Sequence, residues 1–252
     1  MSNAPTATKV GAGAGPVLEF AGVSLPPMWP YDSGVVGQDL VLQAGDLVLV
    51  LLPSPSARPP LADLAQGLVT PSAGAVRFLG RDWAEVAVPA AIARRGQMGR
   101  IFAGTAWVSN LNVDENVLLA AGHQEAPALA AASERAAALA TRFGLLELPT
   151  TRPALTSDMV LQLAQWVRAL LGEPRLLVLE QPLRAVPAEL VPPLVTALGE
   201  ARRAGAAVLW LAGDEDEARL PGLAASAVYH WRDAALESVT PAPAPPPTTP
   251  RE

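Results

Sequence analysis

The sequence predicts an α/β fold, a parallel sheet with a helical stretch inserted near residues 120–160. Three observations carry this. The runs Leu47–Leu52 (LVLVLL), Leu176–Leu179 (LLVL) and Ala207–Leu211 (AVLWL) are continuously apolar, as strands covered on both faces require. A helical segment, 188–203, separates the last two runs, as a parallel crossover demands. An Ala-rich segment, 127–143, interrupts the alternation with helix formers.

Taken in order, Val17–Val23 and Asp39–Gln43 read as short strands joined by a loop rich in Pro and Gly. Leu47–Leu52 is the first buried strand, and Leu61–Gly67 is a short helix. Thr70-Pro71-Ser72-Ala73-Gly74 forms a turn before a strand at Ala75–Leu79. Pro127–Phe143 is a helix with proline near its first turn and Glu134, Arg135 and Arg142 interspersed. Met159–Leu171 is a second helix, apolar at Leu163, Trp166, Val167 and Leu170. The two remaining buried strands flank the helix Ala188–Arg203, and no internal repeat occurs. Residues 1–16 are small and polar, and 237–252 are proline-rich (TPAPAPPPTTPRE from Thr240), so both read as disordered tails. The body, 17–236, has the size of one domain.

Composition removes several chemistries. Of 252 residues, 50% are hydrophobic and 17% charged. Among 18 Lys+Arg the only lysine is Lys9, in the N-terminal tail, and there is no cysteine. Schiff-base lysines, a phosphate-gripping loop lysine, thiolate catalysis, disulfides and cysteine-ligated metals are therefore excluded from the body. His123 and His230 are too few for a histidine-rich metal site. A net charge of −6 without a dense basic stripe argues against a nucleic-acid partner. No apolar run approaches the ~18–20 residues of a membrane span, and Met1–Gly15 lacks a signal-peptide core, so a soluble cytoplasmic chain is expected.

The order of segments from Val17 to Arg232 resembles the ATPase subunit of an ABC transporter. Gly45-Asp46 and the strand after it resemble the approach to that family's phosphate loop. Leu61–Gly67, Leu68–Gly74 and Val76–Asp82 resemble the stretch that follows the loop. Asn112-Val113-Asp114-Glu115-Asn116-Val117 resembles the motif after the glutamine loop, with a spacing similar to the Mla/Mce-type lipid-transport branch. Arg168-Ala169-Leu170, Pro174 and Leu176–Pro182 (LLVLEQP) resemble the segment bearing the metal-binding aspartate and catalytic glutamate. Asp214 and Glu217-Ala218 resemble the residues after the switch histidine. The resemblance implies a P-loop NTPase-like parallel-sheet core, an N-terminal antiparallel β part and a helical subdomain at about 104–165.

The family's chemistry does not survive the same alignment. A phosphate loop needs glycines whose N–H groups converge on the phosphates, a lysine and a hydroxyl for Mg²⁺. Here the loop is Leu52-Pro53-Ser54-Pro55-Ser56-Ala57-Arg58-Pro59-Pro60. Leu52, Pro55 and Ala57 stand at the glycine positions, Arg58 at the lysine and Pro59-Pro60 at the hydroxyl pair. Three prolines at these positions remove backbone donors. The metal-sensing glutamine aligns with Ala103, the metal-binding aspartate with Glu180, the catalytic glutamate with Gln181 and the switch histidine with Gly213. The aspartate beyond Pro182 aligns with Pro187. The signature motif reads Thr156–Val160 or, one residue earlier, Leu155–Met159; both contain Ser157 and Asp158 and neither has glycine.

The resemblance thus implies a catalytically degenerate subunit. No catalytic residue is expected, Gln181 and Gly213 being degenerate positions. Arg58, Pro59, Pro60, Ala103, Glu180, Ser157 and Asp158 form a degenerate nucleotide site, with no metal, no cofactor and residual ATP/Mg binding at most. The implied partners are an ABC permease in the inner membrane, docked through Phe102–Asn116, and a second cassette. That second cassette is either an identical chain or an intact ATPase. The implied location is the cytoplasmic face of that membrane, with lipid transport as the role. Two alternatives stand beside this. One is an ATP-hydrolysing transporter subunit in which Arg58 and Glu180 replace the lost groups; the other is a soluble interaction module without a permease. Other conspicuous residues have plain expectations. Asp214–Glu217 reads as a solvated first helical turn, His123 as solvated and His230 as packed. Arg94-Arg95 and Arg202-Arg203 read as solvated helix faces. Trp29 and Tyr31 lie roughly where the family stacks adenine, with exposed loop aromatics as the alternative reading, and Trp107, Trp166 and Trp210 are core or partner-facing.

Overall fold

A computed structural model describes residues 15–104, 106–121 and 126–239. The tail segments 1–14 and 240–252, with Lys9, and His123 lie outside the described residues. The chain first builds an antiparallel sheet. β1 (Leu18–Leu25) pairs with β2 (Val35–Leu42) on one side and β4 (Ala73–Phe78) on the other, and β4 also pairs with β5 (Arg81–Asp82). The second sheet has β10 (Ala235–Ser238), β9 (Ala227–Arg232), β3 (Leu47–Leu51), β8 (Ala207–Ala212), β7 (Leu176–Glu180) and β6 (Met98–Ile101), in that spatial order. All its neighbours are parallel except β10 against β9.

The continuous apolar runs occupy the middle of this sheet because both of its faces are covered. Leu47, Leu49, Leu177, Leu179 and Trp210 enter one core with α3 (Val113–Leu118), α4 (Ala126–Arg142), α5 (Asp158–Leu170) and α6 (Val191–Arg203). Val48, Val50, Leu176, Val178 and Leu209 enter the other, with α1 (Leu61–Ala65) and the inner face of the antiparallel sheet. Side chains alternate across a strand, so each run feeds two cores and has no polar position to spare. Trp166 and Trp210 are core residues, and the Trp166 ring meets Phe143 edge-on.

Several elements escape the sequence pattern. β6 is only four residues long with Arg100 inside it, and exists because the edge of β7 offers a ladder from Met98↔Leu176 to Ile101↔Leu179. Gly99 lets β6 lie against α5: a Cβ there would stand 1.9 Å from the Ala169 carbonyl oxygen. α2 (Val88–Arg95) and α3 are likewise unforeseen. The helix expected from Ala188 starts with a 3-10 turn, Ala188–Leu190, before α6. β4 begins at Ala73, so the turn before it is shorter than expected.

The expectation of solvated arginine faces holds at Arg203, which is exposed, but needs correction at Arg95 and Arg202. Arg95 donates from Nε to the Gln66 carbonyl at 2.9 Å and from Nη2 to the Gly67 carbonyl at 2.7 Å, above the Trp83 ring. Arg202 donates to the carbonyls of Gly45 (2.8 Å) and Leu223 (2.9 Å). Both bind chain segments across the fold, where a local helical pattern shows nothing. Among the described residues no helix is long and apolar enough to cross a membrane.

Candidate functional site

The carboxyl ends of β3, β8, β7 and β6 share one edge, where open parallel sheets gather their loops. This edge brings together the loop 52–60, Gly213, Glu180-Gln181 and Ala103. Leu52 continues β3 by donating its N–H to the Ala212 carbonyl at 3.0 Å. The loop then folds on itself: Ala57 N–H donates to the Ser54 carbonyl at 3.0 Å, and the Ser54 and Ser56 hydroxyls lie 3.0 Å apart. Arg58 donates its backbone N–H to Asp32 Oδ2 at 2.9 Å, while its exposed side chain makes no ion pair among the described residues. Pro59 and Pro60 are buried at the entry to α1, a helix of five residues.

Gln181 closes the back of the loop. Its amide Nε2 donates to the Pro55 carbonyl at 2.7 Å, and its backbone N–H holds the Leu211 carbonyl at 2.8 Å. The residue is 6% exposed and takes a left-handed φ of 47°, unusual for a residue with a Cβ. Gly213 faces it: a Cβ there would approach Gln181 Cγ to 3.3 Å. Positions 181 and 213 therefore fit each other, the absent side chain at 213 leaving room for the amide at 181.

Glu180 is engaged by a residue the sequence reading passed over. Arg100, reaching across from β6, donates from Nε and Nη2 to Glu180 Oε2 at 2.9 and 2.8 Å. Its Nη1 donates to Asp63 Oδ1 and, at 2.8 Å, to Gln66 Oε1. Tyr31 O–H donates to Asp63 Oδ2 at 2.6 Å. The Arg100 side chain is 8% exposed. Burial opposes its charge, but Glu180 and Asp63 together hold its pKa above the ordinary value. Burial pushes the Glu180 carboxyl up, and Arg100 pulls it only part of the way back. Burial also raises the Tyr31 hydroxyl, helped by its bond to Asp63. The available signal was an arginine inside a strand, which cannot be buried without acceptors.

A cleft of about 160 Å³ opens over this network, lined by Tyr31, Arg58, Pro59, Arg100, Ala103 and Glu180 among others. Tyr31 is thus part of the cleft's polar floor, whereas Trp29 is 91% exposed and outside it. A larger cavity of about 730 Å³ adjoins Gln181 and Gly213, with Pro55, Arg58, Arg184 and Glu217 on its walls. Ser157 and Asp158 are not in either: Ser157 is the exposed N-cap of α5 and Asp158 its first residue. Asp158 shares only a shallow hollow with Ala103, whose carbonyl accepts from Arg184 Nη1 at 2.8 Å.

The surrounding polar residues hold backbone. Glu217 is buried rather than solvated: its carboxylate accepts from Trp210 Nε1 at 2.7 Å, Gly213 N–H at 2.9 Å and Asp214 N–H at 3.1 Å. Burial raises its pKa. Asn116 accepts from Val108 N–H at 2.8 Å and donates to the carbonyls of Val108, Leu111 and Asn112, while Asn112 and Glu115 form a capping box on α3. The Asn112–Val117 motif thereby fixes a loop. Arg168 donates to the Ala106 carbonyl at 2.8 Å with its guanidinium 4.6 Å from the Trp107 ring centroid. Burial pushes its pKa down to about 10. His230 sits half-buried within β9. Among the described residues no group of three or more His, Asp or Glu is placed to hold a metal ion.

No family model matches the chain. Among curated proteins it is 32% identical over 178 residues to the macrolide export ATP-binding/permease protein MacB of Nitrobacter winogradskyi, covering 68% of this chain and 27% of the relative. It is 32% identical over 180 residues to the sulfate/thiosulfate import ATP-binding protein CysA 2 of Chromobacterium violaceum, covering 71% and 47%. The chain thus spans about a quarter to a half of the length of these relatives. Among solved structures, the ATP-binding subunit of an ABC transporter superposes with a TM-score of 0.72 at 21% identity, covering 87% of this chain and 88% of the other. The ATP-binding cassette MJ0796, a dimer in a post-hydrolysis state bound to ADP and Pi, gives 0.73 at 18% identity, covering 87% and 96%. At these identities the structural likeness is one of fold.

Proposed function

Because this chain belongs to the ATP-binding cassette family of ABC transporters, its cleft can be judged against nucleotide chemistry, and we propose that it is a cassette subunit that does not hydrolyse ATP. The observation that carries this reading is Gln181, whose amide is spent on the Pro55 carbonyl. An amide cannot accept a proton from an attacking water near neutral pH, and this one is directed into the loop. The rest of the edge fits a magnesium nucleotide poorly. Pro55, Pro59 and Pro60 have no N–H to give a phosphate, and each charge-assisted hydrogen bond forgone is worth about 1.5–3 kcal/mol. Glu180, which aligns with the family's metal-binding aspartate, already holds Arg100.

On this reading the chain serves as a rigid half of a cassette pair. It docks on a membrane permease through the segment 102–116, held by Arg168 and Asn116, and pairs with a copy of itself or with a hydrolysing cassette. The exporter and importer relatives support a transporter role, and MJ0796, solved as a dimer, supports pairing. A lipid cargo rests only on the sequence likeness at Asn112–Val117. The relatives' ATP-binding names favour a second reading, an ATPase using Arg58 and Glu180. One experiment separates the two. The wild-type chain and a loop-restored variant (Leu52→Gly, Pro55→Gly, Ala57→Gly, Arg58→Lys) are assayed for Mg²⁺-dependent ATP turnover. Neither turns over while Gln181 is present; turnover by the wild type, lost on Glu180→Gln, would establish the ATPase instead.

A further inference from the structure

The network around Arg100 does more than fill space. Two carboxylates, Glu180 and Asp63, converge at the carboxyl edge of the sheet from β7 and α1, positions 117 residues apart in sequence. Left alone, such a pair is a ready ligand set for a divalent cation, since hard cations take carboxylate oxygens. Here the guanidinium lies between them, makes two hydrogen bonds to Glu180 and one to Asp63, and reaches Gln66 with the same nitrogen. The side chain is 8% exposed, and its ring-side contact with Phe102, 4.4 Å from the centroid, leaves it little freedom to swing out.

We propose that Arg100 is a built-in counter-cation, a covalently tethered substitute for a divalent ion that keeps Glu180 and Asp63 closed to metal. Partly buried carboxylates set side by side are stabilised by a cation, and a side chain supplies it permanently, whatever the concentration of metal or nucleotide. A divalent ion brought to Glu180 would stand a few ångströms from the guanidinium, and that repulsion lowers its affinity by about a hundredfold or more. The edge of the sheet is therefore preset in one charge state. This role rests on the cleft's poor fit to a magnesium nucleotide, but the experiment contains metal alone. ATP turnover by the wild type would overturn that reading, while this one stands or falls on manganese.

The test is a titration of the full chain with Mn²⁺, followed by electron paramagnetic resonance, for wild type, Arg100→Met and Arg100→Met/Glu180→Gln. The expected result is no saturable Mn²⁺ site in the wild type, one site gained in Arg100→Met with affinity raised about a hundredfold or more, and its loss in the double variant. A Mn²⁺ site in the wild type that disappears on Glu180→Gln would overturn the proposal. So would a folded Arg100→Met chain that gains none. Should Arg100→Met fail to fold, soluble yield and melting temperature of Arg100→Met/Glu180→Met decide. Recovery above the single variant supports a charge pair, and no recovery refutes it.

Discussion

Replacing Gln181 with glutamate restores the acid that the family resemblance places at this position, and the structure predicts that the chain will not welcome it. The wild-type amide donates to the Pro55 carbonyl at 2.7 Å from a residue 6% exposed. A carboxylate there has no proton to donate, so two acceptors face each other and the Pro55 carbonyl loses this donor. Leaving a buried polar group unpaired costs about 1–3 kcal/mol, and Glu180, next in the chain, adds like-charge repulsion. For a domain of this size each kcal/mol lowers Tm by about 2–4 °C, so Gln181→Glu should melt about 2–12 °C below wild type at pH 7. The new carboxyl is held above its unfolded value of about 4.3 in the fold, because its protonated form can still donate to Pro55. The deficit is therefore small below that unfolded value and grows as pH rises through the folded one. Thermal melts of both chains at pH 7 and about pH 4 measure this. Equal melting temperatures at pH 7, or a deficit independent of pH, would refute the account of Gln181 as a loop-closing donor.

Two further outcomes follow from the packing. Gly99→Ala places a methyl group 1.9 Å from the Ala169 carbonyl oxygen, a backbone neighbour that cannot rotate away. β6 must then separate from α5, and a loss of about 3 kcal/mol or more is expected as overpacking, read as reduced Tm or insoluble expression; a wild-type Tm would contradict the β6–α5 contact. Glu217 has its carboxyl raised by burial, so its contribution is full below the unfolded value, about 4.3, and declines as pH climbs through the folded one. Glu217→Gln cannot titrate and should flatten the fall of Tm across that window; an unchanged slope would mean that Glu217 does not report on it.

The sequence by itself determined the three central strands, because a run with no polar position can be placed only where both faces are covered. It also determined what the loop 52–60 lacks: proline has no N–H in any fold, and a side chain without an ε-ammonium cannot supply one. Gln181 and Gly213 were legible as positions for the same reason, since order along the chain survives where chemistry has changed. Their mutual fit was not, because it depends on β7 and β8 lying side by side. The rest was decided by contacts between distant segments. Arg100 reads as an arginine in a short irregular stretch until the sheet order sets β6 beside β7 and its guanidinium meets Glu180, 80 residues away. Glu217 reads as one of four surface acids until Trp210 and two backbone N–H groups claim it. Arg95 and Arg202 read as solvated until carbonyls from other elements reach them. Local pattern records whether a side chain can be buried. Which partner makes that burial tolerable is a property of topology, and here topology put a fixed cation where the sequence showed only an isolated acid.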